Sequence, residues 1–279
     1  MTTTLRPTGP LQLADNGAKS RTYEVRVNSR PVGTIELATD PGSGPPCGIV
    51  RSLRIDEPDR RRGRATVAAL AAEEVLRGWG CGEVQASAPA GAVPALRLLE
   101  SLGYTERSRK MLKELPPGPP VLPAGVEGRA MTEDEYTAWA AQTVDRYARS
   151  WTDHGMPPEE ARANAEASHR DILPDGLATP GISMSVLVHG GDVVGHLWVA
   201  PREVRPGERA SYVYDVAVAE DRRQNGYGRA LMLLAERVAL EAGDTLLGLH
   251  VFTDNTPAVR LYESLGYETT VRNHVKRLL

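Results

Sequence analysis

The hydrophobic pattern of the C-terminal half predicts a strand-rich order of elements. Residues 183–189 and 193–200 are β-branched and apolar on either side of Gly190 and Gly191, the signature of a hairpin. Another strand is expected at 211–218, then a polar loop at 220–225. The helix after it carries Leu231, Leu234, Ala235, Val238 and Ala239 at helical spacing. A buried-type strand follows at 246–252. Pro257 opens a short helix that Gly266 ends, and 267–279 supplies two short strands. Ahead of the hairpin lie a short strand at 126–131 and a capping box, Thr132 with Glu135. The helix that starts there has Tyr136, Trp139, Tyr147 and Trp151 near one face, and a second helix follows Pro157 and Pro158. The predicted order is βααβββαβαββ.

The N-terminal half repeats the later part of that order. It reads as a hairpin at 23–27 and 32–37, a strand at 49–55, an arginine-rich loop and a helix at 66–77. A strand at 83–88, a helix at 93–102 and a last strand at 109–115 complete it. A shift of 163 lays residues 63–104 on 226–267 without a gap, with 15 of 42 positions identical. Such a period is too long for a solenoid and implies a duplicated domain. Prolines at 116, 117, 119, 120 and 123 mark an extended spacer between the copies. The predicted organisation is therefore a first domain at 1–115, a linker at 116–125 and a second domain at 126–279. The first copy is shorter by about 39 residues ahead of the repeat, the room that two early helices would need.

Composition narrows the class. The 279 residues are 41% hydrophobic and 25% charged, enough to bury a core. The start has no apolar leader and no long apolar run occurs, so a cytoplasmic protein with no membrane partner is expected. Cys47 and Cys81 form no CxxC pair, and the six histidines lack ligand spacing, so neither a disulfide framework nor a metal site is expected. The net charge of −3 divides into +4 for residues 1–120 and −7 for 121–279. Neither half has the basic density of a nucleic-acid binder. The acidic half would suit a cationic substrate, and a solvated surface explains it equally.

The strongest chemical signal is the segment Arg223, Gln224, Asn225, Gly226, Tyr227, Gly228 and Arg229 between a strand and a helix. A helix start offers unpaired N–H groups and a positive dipole end, which favour an anion such as a diphosphate. Glycine allows close backbone approach. A dinucleotide fingerprint lacks its third glycine here, and no GK[ST] follows, so a nucleotide-hydrolysing loop is excluded. The segment resembles the phosphate loop, [R/Q]xxGx[G/A], of the GNAT superfamily of N-acetyltransferases. It recurs from Arg60 through Gly63 to Ala65. The family's next motif, NxxAxxLYxxxGF/Y, is matched by Asn255, Ala258, Leu261, Tyr262, Gly266 and Tyr267 at the expected distance.

The resemblance implies two α/β (α+β) domains of GNAT type. Each would have a mixed, mostly antiparallel central sheet flanked by helices and a splayed strand pair for an acyl-CoA. It implies acetyl-CoA as co-substrate, paired along the main chain of Val216 and Val218. The diphosphate would lie on the amides of 224–229 beside Arg223, and Asn255 would hold the pantetheine arm. The acceptor would be a primary amine of a small molecule or peptide. Its ammonium must lose a proton before attack, the carbonyl oxygen gains charge, and the departing thiolate needs a proton. Asp215 fits either the base or a strand carboxylate that binds substrate, the Val216 N–H is the candidate oxyanion donor, and Tyr262 is the expected acid, its other reading an aromatic packed behind the helix. His250 fits a facing-strand base or a packed strand residue, and the Tyr136–Trp151 stripe fits either an acceptor-pocket wall or core. In the first copy Leu99, Ala92 and Ser52 stand where the second has Tyr262, Asn255 and Asp215, so that domain is expected to be catalytically silent. Two readings stay open, an acetyltransferase with one active domain and a non-catalytic acyl-CoA-binding protein on the same fold. Tandem members of the family include mycothiol synthases, from which the shortened first half departs. Two related domains in one chain would imitate a dimer and leave the chain monomeric.

Overall fold

The computed structural model describes residues 3–40, 46–153 and 157–278, with the side chains of 150, 151 and 153 outside the description. The chain forms two compact units. Unit 1 comprises residues 1–108 and 271–279, and unit 2 comprises 109–270.

The first repeat begins with β1 (Thr3–Pro7), β2 (Gln12–Leu13), β3 (Lys19–Val27), β4 (Arg30–Asp40) and β5 (Cys47–Ile55). Helix α1 (Arg64–Gly78), β6 (Glu83–Pro89), α2 (Val93–Ser101) and β7 (Thr105–Glu114) follow. The second repeat runs β8 (Val126–Ala130), α3 (Glu133–Asp153), α4 (Pro158–Ile172), β9 (Ser183–His189), β10 (Asp192–Arg205) and β11 (Glu208–Val218). It ends with α5 (Tyr227–Glu241), β12 (Leu246–Phe252), α6 (Thr256–Ser264) and β13 (Glu268–Arg277). Residues 115–125 contain no helix or strand.

Each unit holds a mixed, mostly antiparallel sheet. In unit 1 the strand order is β1-β3-β4-β5-β6-β13, with β2 on β3. In unit 2 it is β7-β12-β11-β10-β9-β8. Among the described registers, β5–β6 and β11–β12 are parallel. Unit 1 packs α1 on its sheet through Ala68, Ala72 and Leu76 against Val25, Ile35, Leu37 and Val84. Unit 2 has a core on each face of its sheet. Helix α5 covers one with Leu231, Leu234, Ala235 and Ala239 against Leu187, Leu197, Val213 and Leu249. Helices α3 and α4 cover the other, where Trp139 and Leu173 meet Met184, Val186, Trp198 and Ala200.

Three features depart from the sequence expectation. The final segment is one ten-residue strand, β13, rather than two. Asn273, a poor strand former, is tolerated mid-strand because its amide bonds Ser87 Oγ (2.8 Å) and Ser108 Oγ (3.1 Å). Strands β1 and β2 were not anticipated. β1 pairs antiparallel with β3 as β8 does with β9, so the first copy lacks the early helices but keeps the strand before them. Residues 8–18 make that connection in the first copy, and 131–182 make it in the second.

Finally, the repeats contribute their last strands crosswise. The C-terminal β13 pairs with β6 over Val271↔Pro89 to Arg277↔Glu83, inside unit 1. There Lys276 Nζ meets the buried Glu73 of α1 at 2.7 Å. The 109–114 part of β7 belongs to unit 2, where Lys113 Nζ meets the buried Glu236 of α5 at 2.6 Å. Lys113 and Lys276, like Glu73 and Glu236, are repeat equivalents, so each terminal lysine neutralises the helix glutamate of the opposite repeat. Among the described residues no helix is long and apolar enough to cross a membrane.

Candidate active site

The site in unit 2 starts from an irregularity in one strand. Against β10, β11 pairs Trp198↔Asp215 and then Val199↔Val213, so Tyr214 is the extra residue of a β-bulge. A bulge bends its strand and raises its twist. The parallel register of β11 on β12 accordingly ends at Val213↔Leu249, and the two strands splay beyond it. The bulge also decides where Asp215 points. Strict alternation would send Asp215 with Val213 to the α5 face. Instead Tyr214 stacks on Trp198 (4.9 Å between ring centroids), and Asp215 reaches Trp139 on the α3 face. Val213 and Val216 stay with the α5 core.

The loop after β11 closes the wide end of the splay. Gln224 (φ 66°) and Gly226 (φ 80°) both take left-handed backbone, which costs a β-carbon strain and Gly none. Gly226 caps α5, and its carbonyl accepts from Arg229 N and Ala230 N. The first N–H groups of the helix, which have no intrahelical acceptor, thus open at this turn. The side chains around them brace the loop. Asn225 Nδ2 donates to the carbonyls of Arg222 and Arg223 (both 3.0 Å). Tyr227 OH meets His189 Nδ1, and Arg229 Nη2 donates to Ser264 Oγ at 2.6 Å. Gly228 faces Leu261 of α6, with 3.2 Å from an added Cβ to Cδ2. Arg223 remains solvent-facing, 3.8 Å from Glu220.

Next to the splay lies a cavity of about 690 Å³ between α3 and the β10–β11 pair. It is lined by Trp139, Gln142, Thr143, Arg146, Arg149, His196 and Asp215. Asp215 is its centre. Its Oδ2 accepts from Trp139 Nε1 at 3.0 Å and shares a hydrogen bond with His196 Nε2 at 3.1 Å, and Arg146 Nη2 stands 3.7 Å away. Burial pushes the Asp215 carboxyl up, but the bonds from His196 and Trp139 and the charges of His196 and Arg146 outweigh it. The net result is a carboxylate held below its ordinary range. Tyr262, buried on α6, behaves oppositely. Burial, with the Asp215 charge adding to it, pushes its hydroxyl up to about 12, so it stays protonated.

The other expected residues divide. Val216 and Val218 lie half-buried on the splayed part of β11. Asn255 caps α6, its Oδ1 accepting from Ala258 N at 3.3 Å, which leaves both donors of its Nδ2 for other partners. His250 is exposed, with its ring 5.1 Å from Phe252, and does not line the cavity around Asp215. Of the aromatic stripe, Trp139 lines the cavity and fills the core, and Tyr136 bonds His169 Nε2 at 3.1 Å. Tyr147 is exposed, and the Trp151 side chain lies outside the described residues. Sequence reasoning missed His196, Gln142, Arg146 and Arg149. The last three share the helical spacing of Trp139 and were legible in principle. His196 meets Asp215 only because of the bulge.

Unit 1 repeats the scaffold with different side chains at the equivalent positions. Its bulge falls at Arg51, the equivalent of Tyr214, and its β5–β6 register ends at Val50↔Ala86, the equivalent of Val213↔Leu249. Arg61 (φ 57°) and Gly63 (φ 71°) reproduce the loop turn. Its arginines are partly withdrawn, however. Arg64 is buried against Asp59, which Arg30 also grips at 2.7 and 2.9 Å, and Arg60 Nε donates to Ile55 O. A cavity of about 300 Å³ survives beside the loop, lined by Val50, Leu53, Leu98, Leu99 and Leu102 among others, with Ser52 in place of Asp215.

Comparison with known proteins agrees with this duplicated geometry. The family model for Acetyltransferase (GNAT) family matches residues 4–104 and 141–267. A mycothiol acetyltransferase of Streptomyces griseus subsp. griseus is 33% identical over 89% of this chain and 77% of its own length. The uncharacterized N-acetyltransferase YycN of Bacillus subtilis is 31% identical over 50% of this chain and 90% of its own. Among solved structures, a tandem GNAT protein from the clavulanic acid biosynthesis pathway shares the fold with a TM-score of 0.53. It has 20% identity and covers 96% of this chain and 85% of that one. With two matched regions, two bulged and splayed sheets and two glycine-capped loops, the chain belongs to the GNAT acetyltransferase family in its tandem form.

Proposed function

We propose that unit 2 moves an acetyl group from acetyl-CoA to a primary amine by direct attack in a ternary complex. The observation that supports this most is Asp215 in a cavity beside the splayed strands, with its charge felt by the buried hydroxyl of Tyr262. Asp215 is kept ionised while Tyr262 is kept protonated, the separation that base and acid roles require at one pH. The splayed strands give the pantetheine arm an edge at Val216 and Val218. The turn at Gly226 offers the amides of 224–228 to the diphosphate, the Arg229 N–H being taken by the Gly226 carbonyl, with Arg223 adding charge and Asn255 Nδ2 reaching the arm. Asp215 draws the acceptor's ammonium and takes its proton, held in place by His196 and Trp139 on its Oδ2. The Val216 N–H stabilises the developing oxyanion, and Tyr262 protonates the departing thiolate.

Unit 1 holds the same scaffold with Leu99, Ser52 and Ala92 at the reacting positions, and is proposed to be catalytically silent. The test is thiol release from acetyl-CoA with a panel of primary amines. Acceptor-dependent release is expected, lost by about 10²-fold or more in Asp215→Asn. Acetyl-CoA that binds without release for any amine would instead support a non-catalytic acyl-CoA-binding protein.

A further inference from the structure

The charge inside the acceptor cavity runs against the charge of its own half of the chain. Residues 121–279 carry net −7, yet the cavity around Asp215 is lined by two guanidinium groups and one carboxylate. Trp139, Gln142, Arg146 and Arg149 fall at i, i+3, i+7 and i+10 of α3, so they share one face of the helix. Asp215 is reached from that face by both Trp139 and Arg146. Arg149 lies one turn farther, roughly 5 Å along the axis.

Arg146 pairs with Asp215 only loosely. It stands at 3.7 Å, outside hydrogen-bond reach, and its side chain is 56% exposed. The Asp215 oxygen it faces is already bonded by Trp139 and His196. Arg149 uses Nε on the Asp145 carbonyl at 3.2 Å, which aims the rest of its fork away from that bond. Two cations beside the point where an ammonium must sit repel a simple amine. They become favourable when the acceptor brings its own anion, because a guanidinium fork matches a carboxylate or phosphate with paired hydrogen bonds.

We infer that the acceptor is an amine that also carries an anionic oxygen group, the amine on Asp215 and the anion on Arg146 and Arg149. This rests on the amine-acetylating reading of unit 2. The experiment measures kcat/KM for matched pairs, leucine against leucinamide and glucosamine 6-phosphate against glucosamine, with the acceptor of the mycothiol acetyltransferases alongside. The first pair reads a carboxylate and the second a phosphate. In at least one pair the anionic member is expected to be faster by about tenfold to a hundredfold, the worth of a charge-assisted contact. The preference holds even though leucinamide loses its ammonium proton more readily than leucine. In the double variant Arg146→Gln, Arg149→Gln that ratio falls to about one, while the KM for acetyl-CoA is unchanged.

Several results overturn the inference. One is a wild-type ratio near one or reversed in both pairs, or highest turnover with the mycothiol-type acceptor. A ratio that survives the double variant does so as well. A raised KM for acetyl-CoA with the acceptor ratio intact would assign the arginines to the donor instead. Turnover of neutral amines alone removes this inference and leaves acetyl transfer standing, whereas no turnover with any amine removes both.

Discussion

At the scale of single residues, the proposed chemistry rests on two groups whose surroundings push them apart, Asp215 down and Tyr262 up. Tyr262 cannot ionise near neutral pH, because burial first and the Asp215 charge second raise its hydroxyl to about 12. It is thus a donor over the whole working range. Tyr262→Phe keeps the ring in the core and removes only the hydroxyl. It is expected to lower kcat by about 10²–10⁴-fold with acetyl-CoA affinity unchanged. Steady-state kinetics with calorimetric binding checks this, and an undiminished kcat would show that the hydroxyl is idle. Tyr262 and Asn255 were legible as letters of a motif, and the structure adds that Asn255 also caps its helix. His196 was not legible. Its contact with Asp215 exists because one extra residue at Tyr214 changes which side of β11 Asp215 occupies, and no side-chain alternation encodes that shift.

At the scale of elements, α3 carries one wall of the cavity around Asp215 and needs a defined start. Thr132 N donates to Glu135 Oε2 at 2.8 Å and Glu135 N donates to Thr132 Oγ1 at 3.3 Å, the reciprocal box that the sequence indicated. Arg129 grips the same carboxylate at 2.7 and 2.8 Å. Chiefly through that bond, and against partial burial, the Glu135 carboxyl is drawn down to about 2. A depressed folded value means that its stabilisation is complete above the ordinary carboxyl range, near about 4.3. The stabilisation is lost as pH falls toward about 2. Glu135→Gln is therefore expected to cost about 1 kcal/mol at pH 7 and to lose most of that difference by pH 2, where the carboxyl is about half protonated. Denaturant melts at the two pH values measure it, and a difference undiminished at pH 2 would contradict the assignment. Element order was readable from periodicity and turn residues. β1 and β2 were not, because Thr3–Pro7 is short and barely apolar, and its strand character comes from pairing with β3.

At the scale of the molecule, the repeat explains both what was kept and what was lost. Bulge, splay and glycine turn recur at equivalent positions although Leu99, Ala92 and Ser52 stand where the second repeat has Tyr262, Asn255 and Asp215. The crosswise last strands could not be read from the sequence, since a repeat shows which segments are alike and not which unit each completes. They do have a consequence. Residues 1–120 alone lack β13 and leave Glu73 buried without Lys276, and 121–279 alone lack β7 and leave Glu236 without Lys113. An unpaired buried charge of this kind costs about 3–5 kcal/mol. Each fragment is expected to show no cooperative unfolding by itself, and the two co-expressed to recover it. Independent folding of either fragment would count against the exchange.

The division of labour between the units is tested most directly by placing the same charge in each loop. Gly63 and Gly226 occupy matching left-handed turns with open space around an added Cβ, so each Glu substitution brings backbone strain of about 1–2 kcal/mol and a carboxylate at the loop. Turnover is measured for Gly63→Glu and Gly226→Glu, with circular dichroism confirming that both are folded. Gly226→Glu should lose acetyl-CoA binding and turnover together, and Gly63→Glu should retain turnover. A folded Gly63→Glu protein without activity, or an active Gly226→Glu protein, would contradict the assignment of the chemistry to unit 2.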